Sequence, residues 1–185
     1  MAKKINKDGE KVADKPASKN KNKIIAVIVI AAIIGGGAYF LHKSDNTVDK
    51  AYSAIDGIPC ETQEYSTFHI HAHLDAFVNG QHITVPQYIG IEDNTCLYWL
   101  HTHDTSGIMH IESPVQQNFT LGQFMDVWKS TSTGVPSGIP IIFVNGQEVS
   151  TSLDNTILHA HDEIAIVYGQ APPNIPSFYQ FPEGL

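Results

Sequence analysis

Residues 68–85 read FHIHAHLDAFVNGQHITV, and their polarity alternates with a period of two. Phe68, Ile70, Ala72, Leu74, Ala76 and Val78 fall on one face of an extended strand, while His69, His71, His73, Asp75 and Phe77 fall on the other. Asn79-Gly80 has the composition of a type I′ turn, which needs positive φ at both central residues. If Val78 pairs with Gln81, then Ile83 opposes Ala76 and Val85 opposes Leu74. One register thus sets apolar against apolar along the hairpin. An apolar face of this length needs a cover, and the rest of the chain has to supply it.

Moving toward the C-terminus, the run from Cys96 to Leu100 leads into His101-Thr102-His103. Asp104-Thr105-Ser106-Gly107 has turn composition before Ile108-Met109-His110-Ile111-Glu112, so a second hairpin is expected. The clearest helix signal follows. Thr120 and Gln123 fit a capping box, Phe119 and Phe124 fit a hydrophobic staple, and Leu121, Phe124, Met125 and Trp128 have helical spacing. After a Ser, Thr, Gly and Pro loop at 130–138, Ile141 to Val144, Asn145-Gly146 and Gln147 to Val149 predict a third hairpin. Ile164 to Tyr168 is apolar on both parities, as in a central strand. The order ββ, ββ, α, ββ, β predicts an α+β domain, one mostly antiparallel or mixed sheet with one main helix.

Phe-Val-Asn-Gly-Gln occurs at both 77–81 and 143–147, a repetition that local hairpin chemistry explains without duplication. From residue 95 onward, hairpin, capped helix, hairpin and last strand resemble a β-grasp domain. Residues 141–169, with Phe143-Val144-Asn145-Gly146 and Asp162-Glu163-Ile164-Ala165-Ile166-Val167, look like the closing strands of its sulfur-carrier members. Those carriers end in a diglycine, whereas this chain ends Glu183-Gly184-Leu185 after a Pro-rich tail at 171–185. The likeness therefore covers fold alone.

Toward the N-terminus the chain changes character. Residues 1–23 hold eight of the eleven Lys with three acids and little to bury, as in a solvated cytoplasmic tail. Residues 24–41 are eighteen uninterrupted apolar residues. A helix of that length spans about 27 Å, enough for a hydrocarbon core. Lys before the run and acids after it place the N-terminus in the cytoplasm and residues 45–185 outside, by the positive-inside rule. The expectation is a single-pass cell-membrane protein; a cleaved signal peptide, with Gly37-Ala38 near the cut, is the alternative. His42 falls at the membrane edge. Val48, Ala51, Tyr52 and Ile55, stopped by Gly57 and Pro59, predict a short helix in the linker 42–59 that leads to the outer domain at 60–170.

Residues 45–185 contain sixteen acids, two Lys and no Arg. That balance excludes a nucleic-acid or anionic-lipid surface there and suits metal cations. Cys60 and Cys96 are the only cysteines, and outside the membrane a disulfide is expected. Paired thiolate ligands are the alternative, without the short Cys-x-x-Cys spacing.

Nine of the ten histidines lie between residues 69 and 161, most of them two residues apart. On a strand that spacing puts His69, His71 and His73 on one face about 6.5–7 Å apart, so two of them reach one ion more readily than three. If residues 104–107 form a four-residue loop, His103 opposes Ile108 and His101 opposes His110, with Glu112 opposite Trp99. His101, His103 and His110 then share a face, as in zinc or copper sites with an open position. His159 and His161 form a third His-x-His beside Asp162. His82, opposite Phe77, reads as surface.

An imidazole-rich, carboxylate-flanked set suits zinc or copper(II), since the only outer thioethers are Met109 and Met125. Asp75, Asp104, Glu112 and Asp162 are the acids nearest to orient the rings. Glu112 and Asp104 are the candidate acid–base groups. As a set, FHIHAHL at 68–74, LHTHD at 100–104 and HIESP at 110–114 resemble a family of membrane-anchored bacterial and archaeal proteins, a likeness from which no activity is carried over.

Three functions remain in play: a metal-binding module for buffering, delivery or sensing; a zinc or copper enzyme; and a structural or adhesion ectodomain whose histidines decorate strands or act as a pH sensor. The last would assemble through a sheet edge or the aromatic tail at 172–181. No phosphate loop, dinucleotide fingerprint or serine nucleophile motif is present.

Overall fold

A computed structural model describes residues 52–185 except Asn94. The basic tail, the apolar run at 24–41, His42 and the start of the expected linker helix lie outside the described residues. Among the described residues no helix is long and apolar enough to cross a membrane.

The stretch 68–85 forms the frame of the domain. Its alternating half becomes one strand of eleven residues, β2 (Phe68–Val78). Asn79 and Gly80 turn with φ of 49° and 79° into β3 (Gln81–Ile83), with Val78 opposite Gln81 and Ala76 opposite Ile83. The expected pairing of Val85 with Leu74 is not made. The amide of Leu74 instead donates to the carbonyl of Gly107 at 2.9 Å, and Val85 turns into the core. A glycine is required at 107: its φ is 87°, and a Cβ would stand 2.6 Å from the Leu74 carbonyl oxygen.

Around β2 the sheet runs β6 (Leu100–His101), β7 (Ile108–Ser113), β2, β10 (Glu163–Tyr168), β8 (Ile141–Val144), β9 (Gln147–Val149), with β3 beside β2. β10 runs parallel to β2, Glu163 opposite His73, and is buried along its whole length, as its double-parity apolar run requires. The hairpin expected just before the helix supplies β6 and β7 at one side. The strand parallel to β10 comes instead from residues 68–78. A smaller sheet of β1 (Cys60–Glu61), β5 (Cys96–Tyr98) and β4 (Ile91–Glu92) carries the Cys60–Cys96 disulfide. The cross-link removes the thiolate alternative. Closing a loop of 36 residues stabilises the fold by about 4 kcal/mol on the chain-entropy account.

The cover for the apolar face is α1 (Leu121–Thr131). Its capping box forms as the sequence predicts: Thr120 Oγ1 accepts from the Gln123 amide at 3.2 Å, and Gln123 Oε1 accepts from the Thr120 amide at 3.1 Å. Leu121, Phe124, Val127 and Trp128 are fully buried in one core with Leu74, Leu100, Met109, Ile111, Ile164 and Ile166. Each large apolar side chain so buried contributes about 1.5–3 kcal/mol. Gly122 lets the helix touch the 3-10 turn Leu153–Asn155, where a Cβ would meet Asp154 Oδ1 at 2.3 Å.

The expected linker helix is not formed over its described residues. Residues 52–55 are not helical: Ile55 and Ile58 exchange backbone hydrogen bonds around a turn at Asp56-Gly57, whose φ values are both positive. The i, i+3, i+4 spacing of Tyr52 and Ile55 reflects anchoring instead, since Ile55 packs on the core and Ser53 accepts from the Tyr98 hydroxyl at 2.9 Å. The Pro-rich tail at 171–185 packs on the domain. It lies along the histidine-bearing side of the sheet, with Ile175 packed on Phe77, Ala165 and Val167, Tyr179 stacked on His73, and Phe181 stacked on His161.

Candidate metal centre

Because side chains alternate along a strand, the face of β2 opposite the core carries His69, His71 and His73, and the register of its neighbours decides what they meet. His71 lies opposite His110 on β7, and His110 lies opposite His101 on β6. Directly opposed residues share a face, so three strands contribute one imidazole each to a single row. His69 lies opposite Glu112, and the Glu112 amide donates to the Trp99 carbonyl, the register expected from a four-residue loop at 104–107. His103 folds over from the end of β6, its Nε2 3.2 Å from His101 Nε2.

Four histidines thereby gather around a fifth, His110. Its Nδ1 is 3.2 Å from His71 Nε2 and 3.4 Å from His69 Nε2, and its ring centroid is 4.4 Å from that of His103 and 5.2 Å from that of His101. His69, His71 and His110 form one set of atoms placed to hold an ion, and His101, His103 and His110 form another. Nitrogen ligands at 2.0–2.1 Å around a tetrahedral ion are separated by about 3.3–3.4 Å. The observed nitrogen spacings match that edge.

The protonation states fit ligation. His101 is fully buried, and its Nδ1–H donates to the Tyr98 carbonyl at 2.9 Å, which leaves the Nε2 lone pair facing His103. A carbonyl that fixes the tautomer in this way is the usual outer partner of a metal-binding imidazole. Burial, with added repulsion from neighbouring histidines, lowers His101 and His110 to about 3 and His71 to about 4. These rings are therefore neutral at pH 7, as ligation demands.

Glu112 sits beneath them, buried. Its Oε2 accepts from the Tyr65 amide at 2.7 Å, its Oε1 is 3.7 Å from His101 Nδ1, and that Oε1 has no hydrogen-bond partner. Burial pushes its carboxyl up to about 7. Glu64 approaches His103 at 3.3 Å and groups with His101 and Glu112; being exposed in a polar stretch, it gave no periodic signal.

The other expected ligands go elsewhere. His73 lies on the same face but in a separate group with Asp75 and Glu163. His159 and His161 join none of these groups: His159 Nδ1 pairs with Asp162 at 3.2 Å, and His161 Nε2 donates to the Leu185 carbonyl at 3.1 Å. They precede β10 in a turn, where two-residue spacing no longer implies a shared face. Asp104 accepts from the Ser106 hydroxyl and from its amide at 2.8 Å, which closes the loop before β7 and, with a smaller pull from His103 and His110, holds its carboxyl below the usual range; it joins none of the ligand groups. Asp162 accepts from Asn145 Nδ2 at 3.0 Å and ties the third hairpin to β10. His82 is half exposed and bonds Asp75 at 2.9 Å, as a surface residue opposite Phe77. Met109 and Met125 are both core residues.

The chain matches no protein-family model, no curated protein and no solved structure.

Proposed function

We propose that this is a membrane-anchored, extracytoplasmic protein that holds a zinc or copper ion through His69, His71, His101, His103 and His110, for metal buffering, delivery or sensing. The gathering of these five imidazoles into two triads that share His110, with nitrogen pairs at 3.2–3.4 Å inside them, carries the reading. An all-imidazole donor set suits zinc and copper(II) better than magnesium or calcium. Lys clustered before the apolar run at 24–41, and the disulfide beyond it, support an anchored domain outside the cytoplasm. The strand order β7-β2-β10-β8-β9, with one helix against the sheet, supports a β-grasp-like description of the domain.

The test is elemental analysis of the full chain, purified in detergent without chelator, beside His101→Ala and His71→Ala. Stoichiometric zinc or copper in the wild type, reduced in the variants by the equivalent that this centre holds, is the expected result. A folded wild type that takes up neither metal after loading sinks the reading.

A metal-dependent enzyme is the second reading. Two observations favour it: the buried Glu112 beside His101, and a cleft of about 290 Å³ that opens beside His103 between Thr62, Tyr88, Ile91 and Leu97. A zinc or copper ion there would polarise a bound small molecule, and Glu112 would hold or pass a proton beside His101. Small anions added to the copper-loaded chain should shift its visible absorption under this reading; a saturated site would leave the spectrum unchanged.

A further inference from the structure

At the start of β10 stands an acid in an otherwise apolar strand. Glu163 is buried, lies opposite His73 in the parallel β2–β10 register, and accepts from His73 Nδ1 at 2.8 Å through Oε2. Its Oε1 has no hydrogen-bond partner. Asp75 reaches the same place from β2, with Oδ2 4.0 Å from His73 Nδ1. An orphaned carboxylate oxygen inside a sheet is costly unless something else meets it.

The surroundings orient His73 for ligation. Its Nε2–H donates to the Ser106 carbonyl at 2.8 Å, which leaves Nδ1 as the nitrogen turned toward both acids. Tyr179 from the C-terminal tail stacks on the imidazole with centroids 3.7 Å apart and planes within 8°, which fixes the ring and closes the site on that side. Gly107 makes the approach possible, since a Cβ there would stand 2.9 Å from His73 Nε2.

With both ring nitrogens donating, His73 is an imidazolium and the set with its two carboxylates carries −1; a dication that replaces the proton on Nδ1 brings it to zero. One ligand atom from each of His73, Asp75 and Glu163 lies within 4.8 Å of the others, close enough for one ion to draw all three in. We propose that His73, Asp75 and Glu163 form a second divalent-cation site, distinct from the five-histidine centre and harder in its donors, which takes Zn²⁺ or Mn²⁺ through His73 Nδ1 and one oxygen from each acid. Oxygen-rich donor sets favour such ions, whereas copper favours the imidazole cluster.

The two sites separate by mutation. The full chain, stripped of metal and then loaded with Zn²⁺ or Mn²⁺, is analysed by elemental analysis and by the electron paramagnetic resonance of bound Mn²⁺. Wild type and His101→Ala should both hold Mn²⁺, and Asp75→Ala and Glu163→Gln should lose it. With Zn²⁺, Asp75→Ala should lose one equivalent and keep that of the five-histidine centre. Glu163→Gln alters the core, so its folding is checked by circular dichroism; Asp75 is at the sheet surface and keeps the test decisive alone. If Asp75→Ala holds as much of both ions as the wild type, or if the wild type holds no Mn²⁺ and no Zn²⁺ beyond what His101→Ala removes, the second site is overturned. Loss of metal in His101→Ala alone would leave the first centre standing without the second.

Discussion

The two faces of β2 are built from the same eleven residues and solve opposite problems. Ala72, Leu74 and Ala76 are buried in one apolar cluster with the buried side chains of α1, where the gain grows with area removed from water. His71 and His73 are almost as buried on the other face, but each polar atom there needs a partner. The apolar face is satisfied by the chain alone. The histidine face leaves Glu112 Oε1 and Glu163 Oε1 unpaired and sets nitrogen against nitrogen at 3.2 Å. One face is therefore finished by folding, and the other keeps unpaired polar atoms in groups that could hold a metal ion.

Acid should expose that difference most strongly. The folded-state values of His71, His101 and His110 are about 4, 3 and 3, below the ordinary value of 6.5, so the unfolded chain binds more protons between those limits. Their contribution to stability is full above pH 6.5 and is lost as pH falls toward 3–4. Urea midpoints of the metal-free protein should drop steeply from pH 7 to pH 4, and a flat profile would show that the buried rings titrate normally.

Trp128→Ala should then cost about 3–5 kcal/mol in denaturant unfolding, since the indole is fully buried and its Nε1–H donates to the Thr133 carbonyl. Its zinc or copper affinity at pH 7 should stay near that of wild type while the fold persists. His110→Ala reverses the pattern. It should weaken zinc or copper binding by about a hundredfold or more, because His110 belongs to both triads, yet change the metal-free unfolding free energy by about 1 kcal/mol or less. If metal titration shows equal affinity in both proteins, the functional asymmetry of the faces is gone. Thr120→Ala is the smallest test, at about 1 kcal/mol from the lost cap, with metal stoichiometry unchanged.

Most of the secondary structure was legible because it rests on local rules. Asn79-Gly80 and Asn145-Gly146 both turn with positive φ, and Thr120 and Gln123 close their capping box, for reasons confined to a few neighbouring residues. The triad of His101, His103 and His110 was legible for the same reason, since one short loop sets its register. Residues 52–55 misled because two apolar residues three apart fit an anchored extended segment as well as a helix turn. His69 and His71 showed their strand face but not which strand lay beside it. Glu163 was hidden among apolar neighbours, and the register with His73 spans ninety positions of sequence.

The sequence by itself determined which residues share a face, where the hairpins turn, where the helix begins and which cysteines exist to pair. Periodicity, turn chemistry and capping act over a few residues and need no distant partner. Only the tertiary structure decided that β7 lies beside β2 and β10 on its other side. That order brought two histidine triads together on a shared His110, sent His73 to Glu163 instead, and laid the C-terminal tail over the polar face. Strand order is settled by how one apolar face is buried as a whole, and the polar face inherits its neighbours from that choice.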